Sequence, residues 1–242
     1  MSKPSSTRAL SIADTLRNRI YAGLLPPDTH LIEVPLASEL GVSRTPLRDA
    51  LGRLADEGLL AYVPNRGYIV RRFRFKDVYD AYTLRANLEG FACRLACQNG
   101  IDADAMARLD AILAEQWEVL YTGDWSAERA LKWHDLNLKF HALFLEIADN
   151  HWLSEAVSRV RRLPLIFDSE GRPRNHGEIK LLYQREHSRE AYSEHLRLAA
   201  AFKRGEASRA ESLMSEHVLH NRDVLNERFE QENEARQSSA MP

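Results

Sequence analysis

The sequence predicts a mostly α-helical fold in two parts: a short N-terminal unit of three helices closed by a β-hairpin, and a C-terminal all-α antiparallel bundle of six helices. Three observations carry that expectation. Apolar residues recur at helical spacing along most of the chain, the period shifts to that of strands between Leu59 and Arg72, and glycine or proline punctuates the helical stretches. With 242 residues, 44% hydrophobic and 28% charged, and a formal net charge of -2, the composition suits one large or two small globular domains. It excludes a collagen-like or disordered chain. No apolar run approaches the roughly 18 residues of a membrane-spanning helix, and Met1–Thr7 is polar with no apolar segment behind it, so a cytoplasmic protein with no membrane partner is expected. Cys93 and Cys97 lie four apart in a helical pattern and read as packing residues rather than as a disulfide or a zinc knuckle.

In the first part, residues 8–22 place Leu10, Ala13, Leu16 and Ile20 on one helical face, which Gly23 and the Pro26–Pro27 pair end. Pro35 marks the start of a two-turn helix with Leu36, Ala37 and Leu40 inward, stopped by Gly41. Ser43 is then an N-cap, Pro46 falls in the first turn where its missing N–H costs nothing, and Leu47, Ala50, Leu51 and Leu54 form a stripe up to Gly58. The runs "LLAYV" and "YIVRR", joined by Pro64, Asn65, Arg66 and Gly67, read as a hairpin.

After Arg74 the pattern is helical. One helix ends at Gly100, Asp102 caps a second running to Gly123, and Asp124 or Ser126 caps a third running to about Asn150. A fourth spans roughly 151–168, and "SEGRPRNHG", Ser169–Gly177, is a loop. Two more, about 178–204 and 206–229, hinge at Gly205. The expected division is an N-terminal unit at 1–72, a linker at 73–76, an all-helical unit at 77–230, and a polar, disordered tail at 231–242.

The charge is uneven. Residues 1–72 hold ten Lys and Arg against seven Asp and Glu, a net of +3, which leaves -5 for the rest, so a polyanion would meet the N-terminal third. The order of helix, two-turn helix, tight turn, capped helix and hairpin is that of a winged helix-turn-helix. With the leucines of the third helix inward, Arg44 and Arg48 stand four apart on the opposite side with Thr45 beside them. Arginine takes guanine O6 and N7 with two hydrogen bonds, while Ser43, Thr45 and the open N–H groups of the helix start suit phosphate oxygens. Arg66 and Gly67 at the hairpin tip are placed for the minor groove. Three arginines on one helix are more commonly a solvated face; what weighs against that here is their conjunction with the turn, the cap and the basic wing.

The stretch Leu31–Val70, "LIEVPLASELGVSRTPLRDALGRLADEGLLAYVPNRGYIV", closely resembles the winged helix-turn-helix of GntR-family transcriptional regulators. The resemblance implies DNA contacts from Arg44, Thr45 and Arg48 and a minor-groove contact from the wing at Arg66 and Gly67. Some members carry an arginine at the start of the second helix, where this chain has Pro35.

In the second part, Asn137 and His141 share a helix face. His195 and His217 lie 10 residues before and 12 after Gly205, roughly 15 and 18 Å from the hinge on antiparallel helices, hence near the same height. Three imidazoles and a side-chain oxygen would suit Zn, Ni, Mn or Fe with open positions for another ligand. Taken singly, His30, His151, His176 and His220 read as surface or core residues, and spacing leaves His134 and His187 open.

"NLKFHALFLEIADN" and "EHLRLAAAFKRGEASRAESLMSEH" resemble the two signatures of the FCD effector domain, which defines the FadR branch of the GntR family. That resemblance implies a divalent metal held by an aspartate and three histidines, mapping onto Asn137, His141, His195 and His217. Asn137 departs from the pattern, since a neutral amide oxygen is a weaker ligand than a carboxylate. Six helices place the chain with the VanR-like subgroup. "LRANLEGFACRLA" is similar to the first effector-domain helix, so Arg85 and Glu89 are implied as effector-binding residues, although their spacing equally fits a surface ion pair. The implied protein is a homodimeric transcriptional regulator on a palindromic operator, commonly a repressor and not an enzyme, whose operator affinity is controlled by a small organic acid that weakens binding. Two other readings stand beside it: a metal-dependent hydrolase using the three histidines with Glu194 or Glu216 as base, and an architectural DNA-binding dimer with structural histidines.

Overall fold

The computed structural model describes residues 5–21, 23–72, 75–161 and 184–239. The chain divides into two compact units, with the boundary between Val78 and Tyr79. In the first unit, α1 (Ser5–Tyr21), α2 (Glu33–Leu40) and α3 (Arg44–Asp56) precede the hairpin of β2 (Leu60–Val63) and β3 (Gly67–Val70). A two-residue strand, β1 (His30–Leu31), pairs with β3 and completes an antiparallel sheet in the order β1-β3-β2. Nothing in the periodicity betrays β1, because two residues cannot display an alternation.

The core of this unit joins Ile12, Ala13, Leu16 and Ile20 of α1 to Leu47, Ala50, Leu51 and Leu54 of α3, with Leu60 and Val70 from the sheet. Leu10, expected inward, is 48% exposed; Ala9, a full turn before Ala13, takes the inner position instead. α2 starts at Glu33 rather than at Pro35, so the proline sits within its first turn. Gly41 ends α2 at φ 64, a left-handed conformation that costs glycine nothing and sets up the short turn into α3. Ser43 does stand at the N-cap of α3 with extended backbone, but its hydroxyl makes no capping hydrogen bond.

The second unit contains, among the described residues, α4 (Phe75–Asn99, whose first residues lie before the boundary), α5 (Ala103–Tyr121), α6 (Ala127–Ala148), α7 (His151–Arg161), α8 (Arg185–Lys203) and α9 (Ala207–Ser239). Asp102 caps α5 by accepting from the Ala105 N–H at 2.6 Å, and Ser126, rather than Asp124, caps α6 through the Arg129 N–H at 3.2 Å. α5 packs on α6 and α8, and α8 on α9. Trp133, Phe140, Phe144 and Phe202 are its largest fully enclosed side chains. Cys93 and Cys97 are free thiols; burial pushes Cys93 well up and Cys97 to about 11, which keeps both as neutral packing groups.

The expected disordered tail is corrected: α9 continues through Ser239, since no glycine or proline interrupts residues 206–241 and Glu, Arg and Gln are adequate helix formers. Residues 73–74 of the expected linker, the end of the helix placed at 151–168, the loop at 169–177 with His176, the start of the helix placed at 178–204, and residues 240–242 lie outside the described residues.

Gly90 of α4 marks where that helix meets α9. A Cβ there would stand 2.2 Å from Ser215 Oγ and 2.9 Å from the Glu211 carbonyl oxygen. Gly90→Ala gains about 1 kcal/mol of helix propensity and loses about 1–3 kcal/mol to overpacking against backbone. The expected result is a net loss of stability, read as a lowered midpoint in urea; a raised midpoint would show that the helices part freely there.

Candidate functional site

In the first unit, Ser43, Arg44, Thr45 and Arg48 are all exposed on one side of α3, opposite the buried leucines, and Arg66 is exposed at the hairpin tip. Asn65 and Gly67 flank Arg66 in left-handed conformations, φ 63 and 76, which makes the tight turn that presents it. Sequence reasoning missed the partner of the arginine pair. Glu33, in the first turn of α2, accepts from Arg48 Nε at 2.9 Å and Arg48 Nη2 at 2.7 Å, and from Arg44 Nη2 at 3.4 Å. These hydrogen bonds, that from Arg48 foremost, hold the Glu33 carboxyl below its usual range. A guanidinium offers two bidentate edges; Glu33 takes the Nε–Nη2 edge of Arg48, whose side chain is still 59% exposed.

In the second unit, α6, α8 and α9 bring His141, His195 and His217 together, all buried, 0–3% exposed. His217 Nε2 lies 3.3 Å from His195 Nε2 and 3.3 Å from His141 Nε2. Each ring is gripped from behind at Nδ1. Glu194 Oε2 accepts from His217 at 2.7 Å, Gln116 Oε1 meets His195 at 2.9 Å, and Glu89 Oε2 stands 2.6 Å from His141 Nδ1 in a close, bent contact. Gln116 donates its amide N–H to the Leu136 carbonyl at 3.3 Å, which turns its oxygen toward His195. All three partners are therefore acceptors, and each Nδ1 carries the ring proton. Three Nε2 lone pairs converge on one point in a dry setting, where Phe140 stacks on His195 with centroids 3.8 Å apart. Such lone pairs repel one another; Asn221 Nδ2 stands 3.4 Å from His217 Nε2, and a cation at the point of convergence would satisfy all three. Asn137, a turn before His141 on α6, is half-buried and has no hydrogen bond to the imidazoles among the described residues.

Arg85 and Glu89 are neither a surface pair nor an open receptor. Glu89 is buried and Arg85 half-buried, with side chains 2% and 12% exposed, and Arg85 donates from Nε to Glu89 Oε1 at 2.9 Å while its guanidinium lies over the Tyr82 ring. Arg161, at the end of α7, adds a bidentate pair to the same carboxylate at 3.0 and 2.7 Å. Glu89 is thus fully engaged by two arginines and His141. Arg161, Gln116 and Asn221 escaped sequence reasoning, and Glu194 was singled out only as a base, because the four come from different helices and only the Arg85–Glu89 and His217–Asn221 spacings of one turn carried a local signal. His220, read as an isolated residue, donates Nδ1–H to Glu194 Oε1 at 2.7 Å.

Burial opposes ionisation of Glu89, yet Arg85, then Arg161 and His141, hold its carboxyl well below 4.5. Burial pushes His141 down from 6.5 to about 3 and His195 well below 6.5. The sign follows by linkage. Below pH 6.5 an unfolded chain binds protons on these two histidines that the folded metal-free chain refuses, so stability is full above about 6.5 and falls as pH drops toward 3. Below about 4.5 the carboxylate of Glu89 adds to the loss. Urea melts of the metal-free chain between pH 7.5 and 5 are expected to show a falling midpoint, and a His195→Phe variant a flatter fall. A midpoint independent of pH would mean the imidazoles are solvated.

A model of bacterial regulatory proteins of the gntR family matches residues 8–70, and a model of the FCD domain matches residues 80–220. The chain is 40% identical to the Nta operon transcriptional regulator of Aminobacter aminovorans over 134 residues, 55% of this chain and 60% of that protein. It is 28% identical over 207 residues to the HTH-type transcriptional repressor GlaR of Escherichia coli, covering 84% of this chain and 89% of the repressor. The solved structure of E. coli McbR/YncC shares the fold, with a TM-score of 0.62 at 22% identity over 95% of this chain and all of that one. Among the described residues, no helix is long and apolar enough to cross a membrane.

Proposed function

The chain belongs to the GntR family of bacterial regulatory proteins and carries its FCD domain; on that premise we infer that it is a DNA-binding transcriptional regulator whose operator affinity is set by a small organic acid. The matched part of the Nta operon regulator is about 60% of that protein's length, so what the whole relative regulates is not transferred. The observation that carries the reading is the pairing of an exposed arginine edge on α3 with a buried, pre-oriented triad of imidazoles. The first reads base edges; the second holds a ligand away from water.

His141, His195 and His217 fit a divalent metal, because three neutral Nε2 atoms converge and each Nδ1 is fixed by an acceptor. Zinc, nickel, manganese and iron all accept imidazole nitrogen, and zinc suits a three-histidine set with an open position. When bound, such an ion supplies a Lewis-acidic anchor for a carboxylate oxygen. Around the triad the charges of Arg85 and Arg161 are balanced by Glu89 and Glu194, and Asn137 contributes none, so a dication is left for an anion to neutralise.

A winged helix covers one half-site, so a homodimer on a palindromic operator is the geometry that gives both affinity and specificity. The protein then works in the cytoplasm with its DNA. The hydrolase reading lacks a base: both oxygens of Glu194 are occupied by His217 and His220, and Glu216 is exposed on the solvent side of α9. The relatives named above are regulators, not hydrolases.

The test is fluorescence anisotropy of a duplex from the DNA flanking the protein's own gene, titrated at fixed salt with and without small mono- and dicarboxylic acids. One acid is expected to shift the affinity about 5- to 150-fold, and His195→Ala to abolish the shift while leaving acid-free binding intact. Binding of DNA that no acid changes would leave the architectural reading standing.

A further inference from the structure

We propose that the chain carries a second divalent-metal site, half-buried at the edge of the helical unit and made by His187 and Glu190 of α8 with His220 of α9. It lies outside the reading above and does not depend on the triad holding a metal. One ligand atom from each of the three residues lies within 4.8 Å of the others. His187 Nδ1 is 3.7 Å from Glu190 Oε2, and the two imidazoles are 5.7 Å apart, edge to face. His187 and Glu190 are three apart on α8 and so share a face. His220 is one turn beyond His217, and His187 two turns before His195, so the two helices of this cluster also carry two of the three triad histidines.

The hydrogen bonds behind the rings make this more than a surface ion pair. Asn221 donates its amide N–H to the His217 carbonyl at 2.7 Å, which turns its Oδ1 toward His187 Nε2 at 3.1 Å. An oxygen acceptor there requires the ring proton on Nε2, so His187 presents an unprotonated Nδ1 toward Glu190. His220 gives its Nδ1 proton to Glu194 and presents Nε2. Both rings are thus fixed by an oxygen in the tautomer a metal needs, the device already seen in the triad. Two imidazoles, a carboxylate and water in the remaining positions form a set that suits zinc. The side chains of Glu190 and His220 are 62% and 38% exposed and form the open side of the cluster, while His187 is 14% exposed with its Nδ1 covered on the inner side. Glu194 joins the two clusters, with Oε2 on His217 and Oε1 on His220. Occupancy outside therefore bears on the carboxylate that orients a ligand inside.

The experiment is equilibrium dialysis of the full chain against graded concentrations of zinc ion alone, with bound metal measured by elemental analysis. The wild type is compared with a His187→Ala/Glu190→Gln double variant and with His195→Ala. The expected result is two zinc ions per wild-type chain, one in the double variant and one in His195→Ala. One ion in the wild type and none in the double variant would uphold the outer site and sink the triad reading. Equal zinc in the wild type and the double variant, whether none, one or two ions per chain, would overturn the proposal. If circular dichroism shows the double variant unfolded, Glu190→Gln alone decides, because that side chain is mostly exposed. Its weaker step is expected to lose about 10-fold or more in affinity, and an unchanged curve would overturn the proposal.

Discussion

Arg48→Ala is expected to weaken operator binding about 10- to 100-fold, the discrimination lost when a bidentate base contact disappears. Arg48→Lys separates the two causes of that loss. Lysine keeps the charge but has no fork, so it should retain non-specific, salt-sensitive binding and lose preference for the operator over random duplex. Glu33→Gln tests the carboxylate that orients the fork: base discrimination should fall while the folded state persists, because Arg48 is 59% exposed and its pair with Glu33 is screened by water. Anisotropy titrations against operator and scrambled duplexes at two salt concentrations decide the matter. Equal losses on both duplexes for Arg48→Ala would place the residue on phosphate rather than on a base.

Glu89→Gln should be the most destabilising single change in the helical unit. The carboxylate is 2% exposed and hydrogen-bonded to two guanidiniums, so its removal strands Arg85 and Arg161 as half-buried charges beside a common amide. Breaking a buried ion pair from one side costs about 3–5 kcal/mol. In a unit of this size each kcal/mol moves the melting temperature by about 2–4 °C, so a fall of roughly 10 °C is expected by calorimetry. His141 also loses the acceptor behind Nδ1, and zinc affinity should drop about 10- to 100-fold in any variant that still folds. A shift under about 2 °C would mean water already solvates the arginines.

The two changes probe the chain at different depths of legibility. The helix-turn-helix could be read residue by residue, since caps, turns and apolar stripes are local: Gly41, Pro46 and the leucines of α3 act on neighbours within a turn or two. The meeting of His141, His195 and His217 was legible in part, because antiparallel helices around Gly205 put two of them at one height. Leu10 and the tail beyond residue 230 went the other way. A helix face near its end is ambiguous by one residue, and a polar helix without breakers reads like a frayed one.

By itself the sequence determined the division into a basic reading head and an acidic helical body, the order of their elements, and the residue types available for chemistry. Periodicity and capping act over a few residues, and the signals were present there. Only the tertiary structure decided which partners those residues keep: Glu33 behind Arg44 and Arg48, Arg161 closing on Glu89, Gln116 and Glu194 turning the histidine rings, and His187 meeting His220. Each of those contacts joins different helices, up to 79 residues apart in the case of His195 and Gln116. Their protonation and orientation are set by burial and by the acceptor across the gap, quantities that exist only once the helices have packed.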